Sequence, residues 1–248
     1  MNDYWSTNYS GEPFVLFGTP HLIAMAIIAV ACLSMFFWRN PQERSKRLFR
    51  YGVAAVLILN ELLWHVWNYS NGIWTLQTML PLHLCSVLVF LSAVMLVTKN
   101  VTLYEVCYFL GIAGATQAVL TPDAGDFGFP HVRFFQVFIS HGSIVLAAIY
   151  MTVVEGYRPY LRSMLRVLVL LVGYACIVGL VNAFVGSNYL FIARKPDTAS
   201  LIDVLAPWPW YVLELGGIAV LMFFILYIPF GIKDWRSSRV VQFTTSGS

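Results

Sequence analysis

The sequence predicts an all-α polytopic membrane protein, a seven-transmembrane helical bundle with its N-terminus outside and its C-terminus cytoplasmic. Three observations predict it. Of the 248 residues, 59% are hydrophobic and 11% charged, with a mean hydropathy of +0.72; a soluble domain carries roughly a quarter charged residues. Seven apolar segments are long enough to cross a hydrocarbon core of ~30 Å at ~1.5 Å per residue. The basic residues gather on one side of those segments. A soluble fold of this size has no interior large enough for so much apolar surface. Lipid is therefore the solvent, and the backbone must satisfy its polar groups within helices.

The expected spans are His21–Trp38, Phe49–Trp67, Met79–Val97, Val101–Thr121, Val132–Val154, Met164–Val185 and Tyr211–Pro229. Between spans one and two lie Arg39, Arg44, Lys46, Arg47 and Arg50. Lys99 follows span three, and Arg158, Arg162 and Arg166 surround the connection from span five to span six. Lys233, Arg236 and Arg239 follow span seven. Only Arg133, Arg194 and Lys195, of fifteen Lys and Arg residues, fall on the other side. The positive-inside rule puts the larger group in the cytoplasm, and an odd number of spans then leaves the N-terminus outside. No linker or internal repeat divides the chain, so residues 1–248 are expected to form a single membrane domain, ending in a disordered tail over 244–248.

Composition also excludes function classes. No basic domain or stripe fits nucleic acid. The four cysteines, Cys32, Cys85, Cys107 and Cys176, all sit in apolar segments without paired spacing, which argues against a disulfide framework or a zinc ribbon. Residues before the first span include Asp3 and Glu12 but no Lys or Arg, so the first apolar segment reads as a retained helix rather than a cleaved signal. No cofactor is expected. The expected partners are membrane lipids and a small lipid or acyl ligand.

Polar side chains are costly in a membrane helix, so they pair with one another or line a cavity. With the orientation above, Asn60, Glu61, His65 and Asn68 fall in the outer half of span two, and His83 and Cys85 near the outer end of span three. Gln117 ends span four, Gln136 and His141 lie in the outer half of span five, and Asn182 ends span six. Glu214 is one turn into span seven, and His21 begins span one. All five histidines thus fall at one end of the bundle. The bland explanation is interhelical hydrogen bonding, at about 0.6–2 kcal/mol a pair. The sharper one is a polar cavity open to the outer leaflet, on which Glu61, His65, His83, Cys85, His141 and Glu214 converge.

Spacing narrows the roles. Glu61, His65 and Asn68 are four and three residues apart and share one helix stripe. A carboxylate one turn from an imidazole fixes its tautomer and raises its basicity, as a general base requires. His83 and Cys85 point apart on a regular helix, unless Pro81 distorts the turn. A membrane cysteine is ordinarily a small apolar filler, the expected role of Cys32, Cys107 and Cys176. Cys85 lies at the depth of the histidines, and beside His65 or His141 it would serve as a nucleophile. Asp123, Asp126 and His131 read as an exposed turn rather than a metal site.

These residues resemble the YwaF-like family of bacterial integral membrane proteins. The stretches that carry the resemblance are Asn60-Glu61 with Trp64-His65, Leu80-Pro81-Leu82-His83-Leu84-Cys85-Ser86, and Thr121-Pro122-Asp123. Arg133-Phe134-Phe135-Gln136, Ser140-His141-Gly142, Asn188-Tyr189-Leu190-Phe191, Lys195-Pro196, Ser200-Leu201 and Pro207-Trp208-Pro209-Trp210-Tyr211 complete it over nearly the whole chain. Ala206 departs from the pattern, where Gly is expected. That family is in turn similar to a vertebrate group of multispanning proteins credited with phospholipid acyl transfer through a cysteine. The resemblance implies an enzyme of the bacterial cytoplasmic membrane in which Cys85 is the nucleophile and His141 or His65 the base, with Glu61 supporting. Asn68, Gln136 and Arg133 are the expected oxyanion donors, joined in substrate binding by His83, Asn182 and Glu214. The alternatives are a metal-dependent lipid hydrolase using His65, His83 and His141, and a transporter or receptor with a polar outer cavity.

Overall fold

The computed structural model describes residues 3–196 and 201–245; Ser200, the side chains of Arg236 and Arg239, and tail residues 246–248 lie outside that description. Among the described residues there are seven α-helices and no strand. They are α1 (Thr19–Ser34, continued by a 3-10 turn to Phe37), α2 (Glu43–Ser70), α3 (Leu84–Thr98), α4 (Val101–Leu120), α5 (Val132–Val153), α6 (Leu161–Val185) and α7 (Trp210–Thr245). Five of them, α1, α4, α5, α6 and α7, are long and apolar enough to cross a membrane. The chain is a polytopic helical membrane protein. α2 has the length, with 28 residues, but its polar groups lower its hydropathy; α3, with 15 residues, is apolar but short.

Three boundaries differ from the sequence reading, each for a local reason. The helix expected from Met79 begins at Leu84, because Pro81 disfavours helical geometry at Leu80 and residues 79–83 fold as a turn. α7 runs through Pro229 to Thr245, so Thr244 and Thr245, expected in a disordered tail, belong to that helix. Midway along α4, Cys107–Gly111 widens into a π-helical turn whose residues are all buried. Such bulges absorb one extra residue without breaking the helix.

The helices run up and down, and residues 3–17 cover one end of the bundle, here termed proximal. α5 is the hub. It packs against α1, α2, α3 and α4, while α6 and α7 lean on α4 from outside. Two thirds of the apolar stretch of α5 is buried (67%), against 17% for α1 and α6, so the latter turn most of their surface to lipid. Leu57, Leu88, Met95, Leu96, Tyr104, Phe109, Ile144, Tyr150 and Met151 form the sealed centre. Lipid is as apolar as these side chains, so close packing rather than water exclusion holds the helices together. Gly142 shows how close the approach is: a Cβ there would sit 2.8 Å from Ile28 Cγ1 of α1.

At the distal end the helices are tied by a buried carboxylate. Glu155, just past α5, is 5% exposed and accepts from Lys99 Nζ at 2.8 Å and from the Tyr150 hydroxyl at 3.0 Å. Arg50 Nε of α2 lies 3.4 Å away, and Arg50 Nη1 donates to the Leu96 carbonyl of α3. Lys99 reaches this position because it closes α3 in a left-handed conformation (φ 56°), after which Asn100 caps α4 by accepting from the Leu103 N–H. Two further pairs, Arg166–Glu105 at 2.6 Å and Arg158–Asp234 at 2.7 Å, join α6 and the α5–α6 turn to α4 and α7.

Removing Glu155 leaves Arg50 and Lys99 facing each other without a counter-charge. Glu155→Ala is expected to destabilise the bundle by about 3–5 kcal/mol. Glu43→Ala breaks an exposed pair with Lys46, which is worth at most about 0.5 kcal/mol. Thermal unfolding in detergent should separate the two clearly; similar midpoints would refute the role given to Glu155.

Candidate functional site

The proximal end holds most of the polar side chains that the sequence singles out. On α2, Asn60, Glu61 and Asn68 are buried and His65 is partly so. Asn60 donates from Nδ2 to the Gln136 carbonyl of α5 at 3.0 Å. Glu61 faces the Ser86 hydroxyl on α3 and lies within electrostatic range of His65 and the Arg133 guanidinium. Its Oε1 is 3.9 Å from His65 Nε2, too long for a hydrogen bond. The Trp74 indole donates to His65 Nδ1 at 3.1 Å, which puts the imidazole proton on Nε2, toward Glu61.

Arg133 forms the roof of this cluster. Its guanidinium stacks on the Trp64 ring, 4.0 Å from the centroid, and donates to Gln136 Oε1 and, at 2.9 Å, to the Asp123 carbonyl. Trp64 in turn stacks on Trp67. Beyond that pair on α5, His141 donates from Nδ1 to the Val137 carbonyl at 2.7 Å. Its Nε2 keeps a lone pair that no described residue occupies.

Cys85 is the second residue of α3, and His83 is the N-cap. His83 is extended there (φ −65°, ψ 145°), so the helical-wheel angle between the two does not apply. Its ring lies between those of Tyr189 and Phe191, 5.2 and 5.1 Å away. The backbone N–H groups of Leu84, Cys85 and Ser86 find no acceptor among the described residues, as expected of an uncapped first turn. The Cys85 thiol is half-buried and within the electrostatic reach of Glu61. No hydrogen bond joins it to an imidazole among the described residues.

Several expected members lie elsewhere. Asn68 donates to the Trp64 carbonyl one turn back, so its amide supports α2 rather than a substrate. Asn182 is consumed by the loop after α6, bonding both the N–H and the carbonyl of Tyr189. Glu214 is exposed and accepts from the Ala206 N–H. His21 bridges the Phe17 N–H and the Val119 carbonyl, a structural role. Cys107 is buried against Ser92 and Cys32 is buried, but Cys176 is exposed on α6 rather than a core filler. Among the described residues no three His, Cys, Asp or Glu side chains gather into a metal-ligand set, so His65, His83 and His141 do not form the zinc site of the hydrolase reading. Sequence reasoning gave no role to Trp74 and Tyr174, and named Trp64 and Ser86 only within the matched stretches. Trp74, from the turn after α2, and Tyr174, from α6, leave no signal in spacing, whereas Trp64 and Ser86 share α2 and α3 with Glu61 and Cys85.

A helical bundle with apolar spanning helices and its buried polar groups gathered toward the two ends defines an integral, polytopic membrane protein. The chain belongs to the TMEM164 family, a family of membrane proteins whose sequence model matches residues 16–227. The match includes every residue of the cluster just described. No curated protein and no solved structure matches the chain.

Residues 3–17 close over the cluster. Trp67 Nε1 donates to the Trp5 carbonyl at 2.9 Å and Trp5 Nε1 to Ser70 at 3.1 Å. His131, the N-cap of α5, donates from Nε2 to the Ser6 carbonyl and accepts at Nδ1 from the Arg133 N–H. A proton on Nδ1 would meet that N–H donor. Burial holds the imidazole below the ordinary histidine value, with Arg133 adding to the effect and Asp3 and the Ser6 bond opposing it. The contribution of His131 to docking is therefore complete above about pH 6.5 and lost as pH falls below it. Amide exchange over residues 3–17 should accelerate between pH 7.5 and 5.5, after correction for intrinsic rates, about in step with a histidine titration. A His131→Gln variant should lose that dependence; a pH-independent wild-type profile would refute the assignment.

Proposed function

We propose that the protein is a membrane-embedded acyl-transfer enzyme acting on a lipid ester, with Cys85 as nucleophile. The observation that carries the reading is the position of Cys85 on the first turn of α3. There the open N–H groups of Leu84, Cys85 and Ser86 and the helix dipole favour negative charge on the thiolate and on a nearby oxyanion. His141 is the base, because the Val137 carbonyl holds its Nδ1–H and leaves the Nε2 lone pair free to accept a proton. α3 and α5 pack against each other, which brings the two helices of the pair together. The likeness of Leu80–Ser86 and Ser140-His141-Gly142 to the YwaF-like family, and of that family to proteins credited with cysteine-dependent phospholipid acyl transfer, supports the same assignment.

In this mechanism His141 Nε2 takes the Cys85 thiol proton as substrate enters. The thiolate adds to the ester carbonyl, and the oxyanion is held by the first-turn N–H groups and by Arg133 or Gln136. Collapse breaks the ester bond, and the departing alkoxide takes the proton from the His141 imidazolium. A lipid hydroxyl or water then gives its proton to His141 and attacks the thioester. The acyl group moves to that oxygen, and the Cys85 thiolate recovers the proton. Glu61 and His65 set the local field, and His83 contacts the substrate.

The same proposal places the enzyme as one membrane domain of seven spans in a bacterial cytoplasmic membrane, with α2 and α3 as the second and third spans. The distal end, with its Arg and Lys residues, faces the cytoplasm, and the proximal cluster opens to the outer leaflet. Reporters fused after Arg44 or Arg236 should read cytoplasm, and reporters near Asp3, Asp126 or Lys195 the exterior. A cytoplasmic signal at Asp3 would invert the scheme.

Activity is tested with a fluorescent diacylphospholipid in mixed micelles. Cys85→Ser should lower acyl release by about a thousandfold, and His141→Ala by about 10²–10⁴-fold, with unchanged elution of the purified protein. Mass spectrometry should find the acyl group on Cys85. Full activity in Cys85→Ser would end the nucleophile assignment, while Cys32→Ser, Cys107→Ser and Cys176→Ser should stay near wild type.

A further inference from the structure

Leu190 and Phe191 are consecutive non-glycine residues with positive φ, 61° and 52°. L side chains rarely adopt that conformation, and it persists where the surroundings over-determine it. Here they do. Asn182 of α6 accepts from the Tyr189 N–H at 2.8 Å and donates to the Tyr189 carbonyl at 2.9 Å, while Ser187 bonds Asn182 Oδ1. The Tyr211 hydroxyl donates to the Phe191 carbonyl, and Trp208 Nε1 to the Ile192 carbonyl at 3.0 Å.

This turn pushes Tyr189 inward until its side chain is fully buried. Its hydroxyl donates to the Leu76 carbonyl at 2.7 Å and accepts from the Leu80 N–H at 2.8 Å. The Tyr174 hydroxyl of α6 donates to the Leu82 carbonyl at 2.8 Å. Residues 76–83 have no helix of their own to satisfy these groups, so two tyrosines from α6 and the loop after it do so. The segment ends where α3 begins, two residues before Cys85.

We infer that Tyr189 is a positioning residue for Cys85: its hydroxyl bridges Leu76 and Leu80 and so sets where α3 starts and where the thiol lies. Tyr174 assists from the other side of Pro81. The inference rests on the acyl-transfer reading only in taking Cys85 as the reacting atom.

The test uses full-length protein in detergent and two readouts, the rate of Cys85 alkylation by iodoacetamide and the turnover of p-nitrophenyl butyrate. Tyr189→Phe removes one oxygen and keeps the ring. It should lower kcat by about tenfold or more with KM within about twofold, and slow Cys85 alkylation by about fivefold. Tyr211→Phe, which loosens the same loop without touching residues 76–83, should leave both near wild type. An unchanged or faster alkylation rate in Tyr189→Phe, or an equal loss in Tyr211→Phe, overturns the inference. Should Tyr189→Phe fail to yield monodisperse protein, Tyr174→Phe decides by the same alkylation criterion. Ester turnover that survives Cys85→Ser would defeat the acyl-transfer reading alone, because alkylation reports only where the thiol sits.

Discussion

A chain dissolved in hydrocarbon has no water to satisfy its polar groups, so each N–H, carbonyl and charge must find a partner inside the protein. Almost every feature of this bundle answers that requirement. The distal end concentrates charge around Glu155, where one carboxylate meets Lys99, Arg50 and a tyrosine hydroxyl. The proximal end concentrates histidines, amides and indoles. Between them lies a sealed layer of Leu, Met, Phe and Tyr gathered around α5. Polar groups that have no partner on their own helix are met by loops, as when Asn182 turns back to hold the Tyr189 backbone.

The proximal cluster is organised by satisfied structural groups around a few open ones. Trp74 fixes the His65 tautomer, Trp64 supports Arg133, and Arg133 orients Gln136. What remains open is the first turn of α3 and one nitrogen of His141. In a low-dielectric setting, unpaired donors and a free imidazole lone pair are costly to maintain. The acyl-transfer proposal rests on the open first turn that carries Cys85 and on that free imidazole nitrogen. The strain at Leu190 and Phe191 belongs to the same economy, since the loop that bears it anchors the turn leading to Cys85.

Much of the architecture was legible from residues alone, and the failures are instructive. Apolar segments located the helices of the bundle, because lipid selects them by length and composition. The stripe Glu61, His65, Asn68 was correct as a helix face, yet Asn68 spends its amide on the Trp64 carbonyl. Asn182 and Glu214 stood at suitable depth but serve loop backbone instead. Depth along a helix follows from residue number; the direction in which a polar side chain finds its partner does not.

The sequence by itself determined that this protein lives in a membrane, that it is helical, and that its histidines fall toward one end of the chain's apolar segments. Those properties follow from transfer free energies summed over segments, which need no knowledge of neighbours. Only the tertiary structure decided that Cys85 opens a helix rather than lying within one, and that Trp74 and Tyr189 reach across to His65 and to the turn before α3. Pro81 hinted at a break. The break takes its form from hydroxyl bonds supplied by residues about a hundred positions away, and contacts of that range are set by how the helices pack.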